Sequence, residues 1–167
     1  MSTDTHEAQE MGTKPLKEHE WLQNLVGEWQ TESEMMMPDG GTAKTKGHES
    51  VKSLGGLWAY AEGTSTFPDG NSMEYIFALG YDVTFKEYRG CRIMPMSSHL
   101  WKYEGKLSAD GRVMTLDCEG PNMEGEGTAP YRDVITLIDK DHRSLACSMQ
   151  MGNGEWVEYL TATLTRA

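Results

Sequence analysis

Twelve methionines, five histidines and three cysteines are the residues of this 167-residue chain that could coordinate or attack through soft or nucleophilic atoms. Their spacing argues against most of that chemistry. His6, His19, His48, His99 and His142 are scattered, and neither Cys-x-x-Cys nor His-x-x-x-His occurs, so no metal site is expected. No Gly-x-Ser-x-Gly elbow and no Gly-rich phosphate loop before a helix is found, and no residue is expected to be catalytic. Cys91, Cys118 and Cys147 are odd in number and widely spaced, as reduced buried thiols would be. Acid/base chemistry would have to use Glu62, His99 or Arg132, and only if a cavity enclosed them. Arg92 and Arg132 are the candidates for an inward cation facing an anionic ligand, although an outer salt bridge with Asp133 or a neighbouring strand explains Arg132 equally well.

The methionines stand out. Met1 and Met11 precede the patterned part of the chain; of the others, Met35, Met37, Met114, Met149 and Met151 could line a plastic apolar pocket or fill a core. Which of these they do depends on the elements that carry them. Residues 1–14 are polar and read as a disordered tail, and residues 15–167 as a single domain large enough to bury a core. Pro15 can open a helix whose apolar stripe is Leu16, Trp21, Leu22, Leu25 and Val26, ended by Gly27. From there the period is two, and turn signals such as "PDGG", "PDGN", "ADGR", "DKDHR" and "GNGE" separate about ten strands. Short loops between many strands predict an all-β antiparallel barrel preceded by one short helix.

The alternation assigns inner faces. In "NLVGEWQTESEMMMPDGG", a three-residue loop of Asp39, Gly40 and Gly41 makes Trp29 face Val51, Met35 face Thr45, Glu32 face His48 and Glu34 face Lys46. Trp29, Met35 and Met37 then point inward and Met36 outward. Further along, Tyr75, Phe77 and Leu79, then Trp101, Tyr103 and Leu107, then Met114, Leu116 and Cys118, then Leu145, Cys147, Met149 and Met151 share the interior. In "LWAYAEGTSTF" two parities are open: small Ala59, Ala61, Gly63 and Ser65 inside, or Trp58, Tyr60 and Glu62.

Gly27-Glu28-Trp29 at the start of the first strand resembles the Gly-x-Trp signature of calycins, the group of lipocalins and fatty-acid-binding proteins. With "GGLWAYAEG", "YIFALGYDVTFKEYRG", "WKYEGKLSADGRVMTLDCEGP" and "YRDVITLIDKDHRSL", the chain from Trp21 to Arg166 is similar to a bacterial lipocalin-like family, domain of unknown function 1579. Tyr81, Asp82, Lys86, Tyr88, Gly90, Trp101, Glu104, Gly105 and the Asp110-Gly111 turn carry that likeness. It implies a calycin-like barrel, and it carries over no list of catalytic residues. It also implies that a late basic residue, here Arg166, packs on Trp29 and closes the barrel end. The haem motif of some such barrels is missing, since Gln30 and Thr31 follow Trp29 and no histidine follows His142, so no cofactor is expected.

Charge narrows the partners. The formal charge is −11, with 26 acidic against 15 basic residues and no basic run, so neither nucleic acid nor a membrane surface is expected. "MSTDTHEAQEMGTK" has neither a basic start nor an apolar run, and the protein is read as cytoplasmic. The leading expectation is a small apolar or amphipathic molecule bound inside by Met35, Met37, Tyr75, Phe77, Trp101, Tyr103, Met114, Cys118, Arg132, Met149 and Met151. The other two readings are an acid/base enzyme using the cavity and an interaction module or homodimer using an outer face bearing Trp58 and Tyr60.

Overall fold

Alternation after Gly27 folds as ten antiparallel strands: β1 (Gly27–Met36), β2 (Thr42–Leu54), β3 (Trp58–Thr66), β4 (Ser72–Asp82), β5 (Glu87–Met94), β6 (Ser97–Leu107), β7 (Val113–Pro121), β8 (Thr128–Leu137), β9 (His142–Gln150) and β10 (Trp156–Arg166). Each pairs with its sequence neighbours and β10 returns to β1, so the sheet closes as an up-and-down barrel without a free edge. This is the expected calycin-like, all-β architecture. The structure is a computed structural model describing residues 12–167; residues 1–11 of the expected disordered tail lie outside the described residues.

The first hairpin differs from its expected register by two residues. Met37 N–H bonds Gly41 O at 2.7 Å and Gly40 N–H bonds Met37 O at 2.9 Å, which makes Pro38, Asp39 and Gly40 the loop. Proline supplies the fixed φ that the first turn position needs, and Gly40, at φ 85°, takes the left-handed position. Trp29 therefore faces Glu49, Met35 faces Ala43, Glu32 faces Lys46 and Glu34 faces Lys44. An even shift leaves the faces unchanged: Trp29 is buried and Met36 exposed. The same loop recurs at Phe67 to Asn71, with Gly70 at φ 87°, and it settles β3: Ala59, Ala61, Gly63 and Ser65 are inside.

The helix is shorter than its stripe suggests. α1 (Lys17–Trp21) tightens into a 3-10 turn (Leu22–Asn24), and Asn24 Nδ2 donates to Trp21 O at 2.8 Å. Trp21, Leu22 and Leu25 bury in one cluster with Trp29, Val51, Leu79, Leu116 and Ile135, closing one end of the barrel. Fully burying each leucine contributes about 1.5–3 kcal/mol. Polar contacts fix the plug. Trp21 Nε1 donates to Gly111 O at 2.8 Å, and Tyr88 Oη donates to Glu18 O at 2.7 Å. Buried His19 accepts from Leu16 N–H through Nδ1 at 2.9 Å, so Nε2 carries the proton and donates to Tyr81 O at 3.0 Å.

Candidate functional site

With the helix plugging one end, the turns β1–β2, β3–β4, β5–β6, β7–β8 and β9–β10 gather at the other. Here the interior is not filled. A cavity of about 520 Å³ extends from this mouth into the barrel. Its wall combines Phe67, Tyr75, Phe77, Trp101, Tyr103, Tyr131 and Tyr159 with Met35, Met36, Met37, Met73, Met94, Met96 and Met123. The methionines cluster at the mouth because β1, β4, β5 and the β5–β6 and β7–β8 loops end there.

Small residues on β3 make room for large ones on β4. A Cβ on Gly63 would lie 2.1 Å from Tyr75 Cζ, so the tyrosine ring occupies the space that the glycine leaves. Tyr75 Oη donates to Glu49 Oε2 at 2.5 Å, and Arg143 pairs with Glu49 Oε1. Both members of the ion pair are almost fully buried. Burial alone would raise the Glu49 pKa, but the Arg143 charge, the Tyr75 and Arg143 hydrogen bonds and the Arg92 charge outweigh it and hold the carboxyl below its usual range. Burial and the facing carboxylate push the Tyr75 hydroxyl far up, so it stays a donor.

A second polar group lies across the barrel. Tyr103 Oη donates to Asp133 Oδ2 at 2.6 Å, and buried Cys147 faces Asp133 from the neighbouring strand. Burial raises the Tyr103 hydroxyl and the Cys147 thiol well above their ordinary values, and pushes the Cys118 thiol up to about 12. Neither cysteine is a nucleophile at neutral pH. Arg92, from β5, has its guanidinium 5.3 Å from the ring centroids of both Tyr75 and Phe77. Its Nε, the Arg143 Nε and the Trp101 Nε1 are buried without a hydrogen-bond partner.

The sequence-expected residues divide. Met35, Met37, Tyr75, Phe77, Trp101 and Tyr103 line the cavity. Met114 instead packs in the plugged-end cluster, Met149 and Met151 pack with Ala129 and Tyr131, and Cys118 packs between the two clusters. Arg132 does not line the cavity. It lies on the outer face of β8, where Nε donates to Asp117 Oδ1 at 2.7 Å and the guanidinium stacks 4.6 Å from the Trp156 ring. Of the other groups considered for acid/base chemistry, Glu62 is exposed, and His99 contacts Glu119 O at 2.7 Å through Nε2; neither lines the cavity. Glu49, Asp133 and Arg143 were not anticipated. For two of them the signal was present: Glu49 shares parity with Val51, and Arg143 with Leu145 and Cys147. A charge on an apolar face was the feature to notice.

Trp29 and Arg166 meet at the plugged end. Arg166 Cζ lies 4.3 Å from the Trp29 ring centroid, while its Nη1 donates to Val26 O at 2.6 Å, Nη2 to Asn24 O at 3.3 Å and Nε to Lys140 O at 3.1 Å. A second hollow, of about 620 Å³, lies near Phe67 among Glu32, Glu34, Lys44, Lys46 and Thr161, and its charged side chains are solvated. Among the described residues no three His, Cys, Asp or Glu side chains converge as metal ligands would.

The chain belongs to the family described as protein of unknown function (DUF1579), which it matches over residues 14–166. No curated protein matches it. Among solved structures it is similar to Rv2717c from M. tuberculosis, at 16% identity and a TM-score of 0.67, covering 92% of this chain and 99% of that one. It is also similar to the S-type phycobiliprotein lyase CPES from Guillardia theta, at 10% identity and a TM-score of 0.58, covering 89% of this chain and 91% of that one. At these identities the likeness is one of fold.

Proposed function

We propose, from the geometry of its barrel, that the protein binds a small, mainly apolar molecule inside the barrel as a carrier or sensor rather than an enzyme. The observation that carries the reading is the cavity of about 520 Å³, open at the mouth and walled by aromatic rings with a few convergent polar groups. Seven methionines on that wall suit it to ligands of varied shape, because thioether side chains repack at little cost. Acid/base catalysis by Glu62, His99 or Arg132 has no support from their positions. All three cysteines are unpaired, as in a reducing compartment, and we place the protein in the cytoplasm. Among the described residues no helix is long and apolar enough to cross a membrane.

Native mass spectrometry of protein purified without denaturant, followed by extraction, tests the reading by identifying a stoichiometric guest. A ligand at one hundred times its Kd adds about 2.7 kcal/mol of stability, which a thermal melt resolves easily. A clean apo mass together with no thermal shift across fatty acids, retinoid-like and aromatic compounds would sink it.

A second reading is favoured by one outer patch. Trp58 (42% exposed), Ile76 (44%) and Ile93 (44%) lie on the outer face of β3, β4 and β5, where Glu62, Ile76 and Ile93 stand in one row. Such a face suits self-association or a protein partner. Sedimentation at increasing concentration tests the self-association; a monomer throughout removes the homodimer.

A further inference from the structure

Arg92 differs from every other cation near the cavity. Arg143 is engaged by Glu49 and stacks 4.6 Å from the Trp29 ring, whereas the Arg92 guanidinium makes no hydrogen bond and no ion pair among the described residues. Its neighbours are the ring faces of Tyr75 and Phe77. Those contacts hold the planar group in place but accept none of its N–H bonds. Asp133 acts on Arg92 through space but makes no hydrogen bond or ion pair with it; its Oδ2 accepts from Tyr103 Oη. A buried guanidinium without acceptors is costly, and the surface that Arg92 still exposes is on the cavity wall. Trp101 adds a second buried donor without a partner on the same wall.

We infer that the ligand carries a carboxylate head, and that Arg92 is the residue that pairs with it. This deepens the binder reading and rests on it. A carboxylate supplies two coplanar acceptors matched to the guanidinium fork. Arg92 offers one cation, and Asp133, which acts on it through space, would repel a head with a second negative charge. The head is therefore a single carboxylate, and the apolar remainder of the molecule points past Phe77 and Tyr131 toward the methionines of the mouth.

Calorimetric titration with decanoate, decanol and decylamine, probes that share a tail, separates the head from the body. The unmutated protein is expected to bind decanoate about tenfold or more tighter than decanol, the difference a charged hydrogen-bonded pair makes. Decylamine is expected to bind most weakly. In Arg92→Met, checked for folding by circular dichroism and melting, the preference for decanoate disappears and decanol binding remains. Carboxyl-labelled decanoate gives a readout free of mutation: beside Arg92 its carboxyl should titrate about one pH unit or more below that of the free acid. Equal binding of decanol and decanoate, an undiminished preference in Arg92→Met, or an unshifted carboxyl titration overturns the assignment while leaving the binder reading in place. Binding of none of the three probes overturns both.

Discussion

The guanidinium of Arg166 stacks 4.3 Å from the Trp29 ring centroid, across the β1–β10 seam where the two residues face each other in register. The indole is 1% exposed, and its Nε1 donates to Leu25 O at 2.8 Å, so one ring ties the closing seam to the plug. Arg166 also supplies donors to the carbonyls of Val26, Asn24 and Lys140. Arg166→Met keeps the length but loses the stacking charge and those bonds. It should lower stability by about 2 kcal/mol, and Trp29→Ala by about 3–5 kcal/mol, both read from urea midpoints at constant slope.

The barrel was legible because its evidence is local. Turn residues and a period of two predict about ten strands, and the β1–β2 hairpin shows the limit: Pro38, Asp39 and Gly40 fix a loop type that the letters "PDGG" allow at two offsets. Several residues that carry the family likeness prove to be fold residues. Asp82 accepts from Thr84 N–H at 2.8 Å and Phe85 N–H at 3.1 Å in a turn where Lys86 is left-handed, and a Cβ on Gly90 would lie 2.1 Å from Ala78 O. The site was less legible. Met94, Met96 and Met123 reach the cavity from turns or strand ends, where alternation says nothing about direction. Arg92 and Arg132 lie on different strands with opposite orientation, and only the closed register shows which one faces in.

The Glu49–Arg143 pair makes a pH-dependent contribution of known sign. The Glu49 carboxyl titrates below its ordinary value of 4.5 when folded, so its stabilisation is complete above about pH 4.5 and is lost as pH falls through the lower folded value. The stability gap between the unmutated protein and Glu49→Gln should be constant at neutral pH and shrink under acid. Glu49→Ala, which leaves Arg143 buried without its carboxylate, should lose about 3–5 kcal/mol at pH 7. Urea titrations at several pH values check both, and a gap that widens toward acid contradicts the assignment.

Gly63 is fixed by Tyr75 rather than by a turn. A Cβ there meets the phenol carbon at 2.1 Å and its oxygen at 2.4 Å, so Gly63→Ala must displace the ring and break its bond to Glu49. A loss of about 1–3 kcal/mol is expected. Tyr75→Leu removes the obstruction, so the double variant should be less destabilised than the two single losses combined. Additive losses would place the strain elsewhere.

Ala162 distinguishes an open cavity from a close-packed core. It lines the cavity wall from β10, with Leu160 and Leu164 alternating on the same strand. Enlarging a residue in a close-packed core typically lowers stability by about 1–3 kcal/mol, because neighbours are forced off their rotamers. Ala162→Leu instead points three extra carbons into free volume. Its melting midpoint should match or exceed that of the unmutated protein, while the affinity for decanol falls because the space for the tail is taken. The two readouts move in opposite directions only if the space is there in solution. A variant that melts early and still binds decanol as before would mean that the wall at β10 is packed and the guest sits elsewhere.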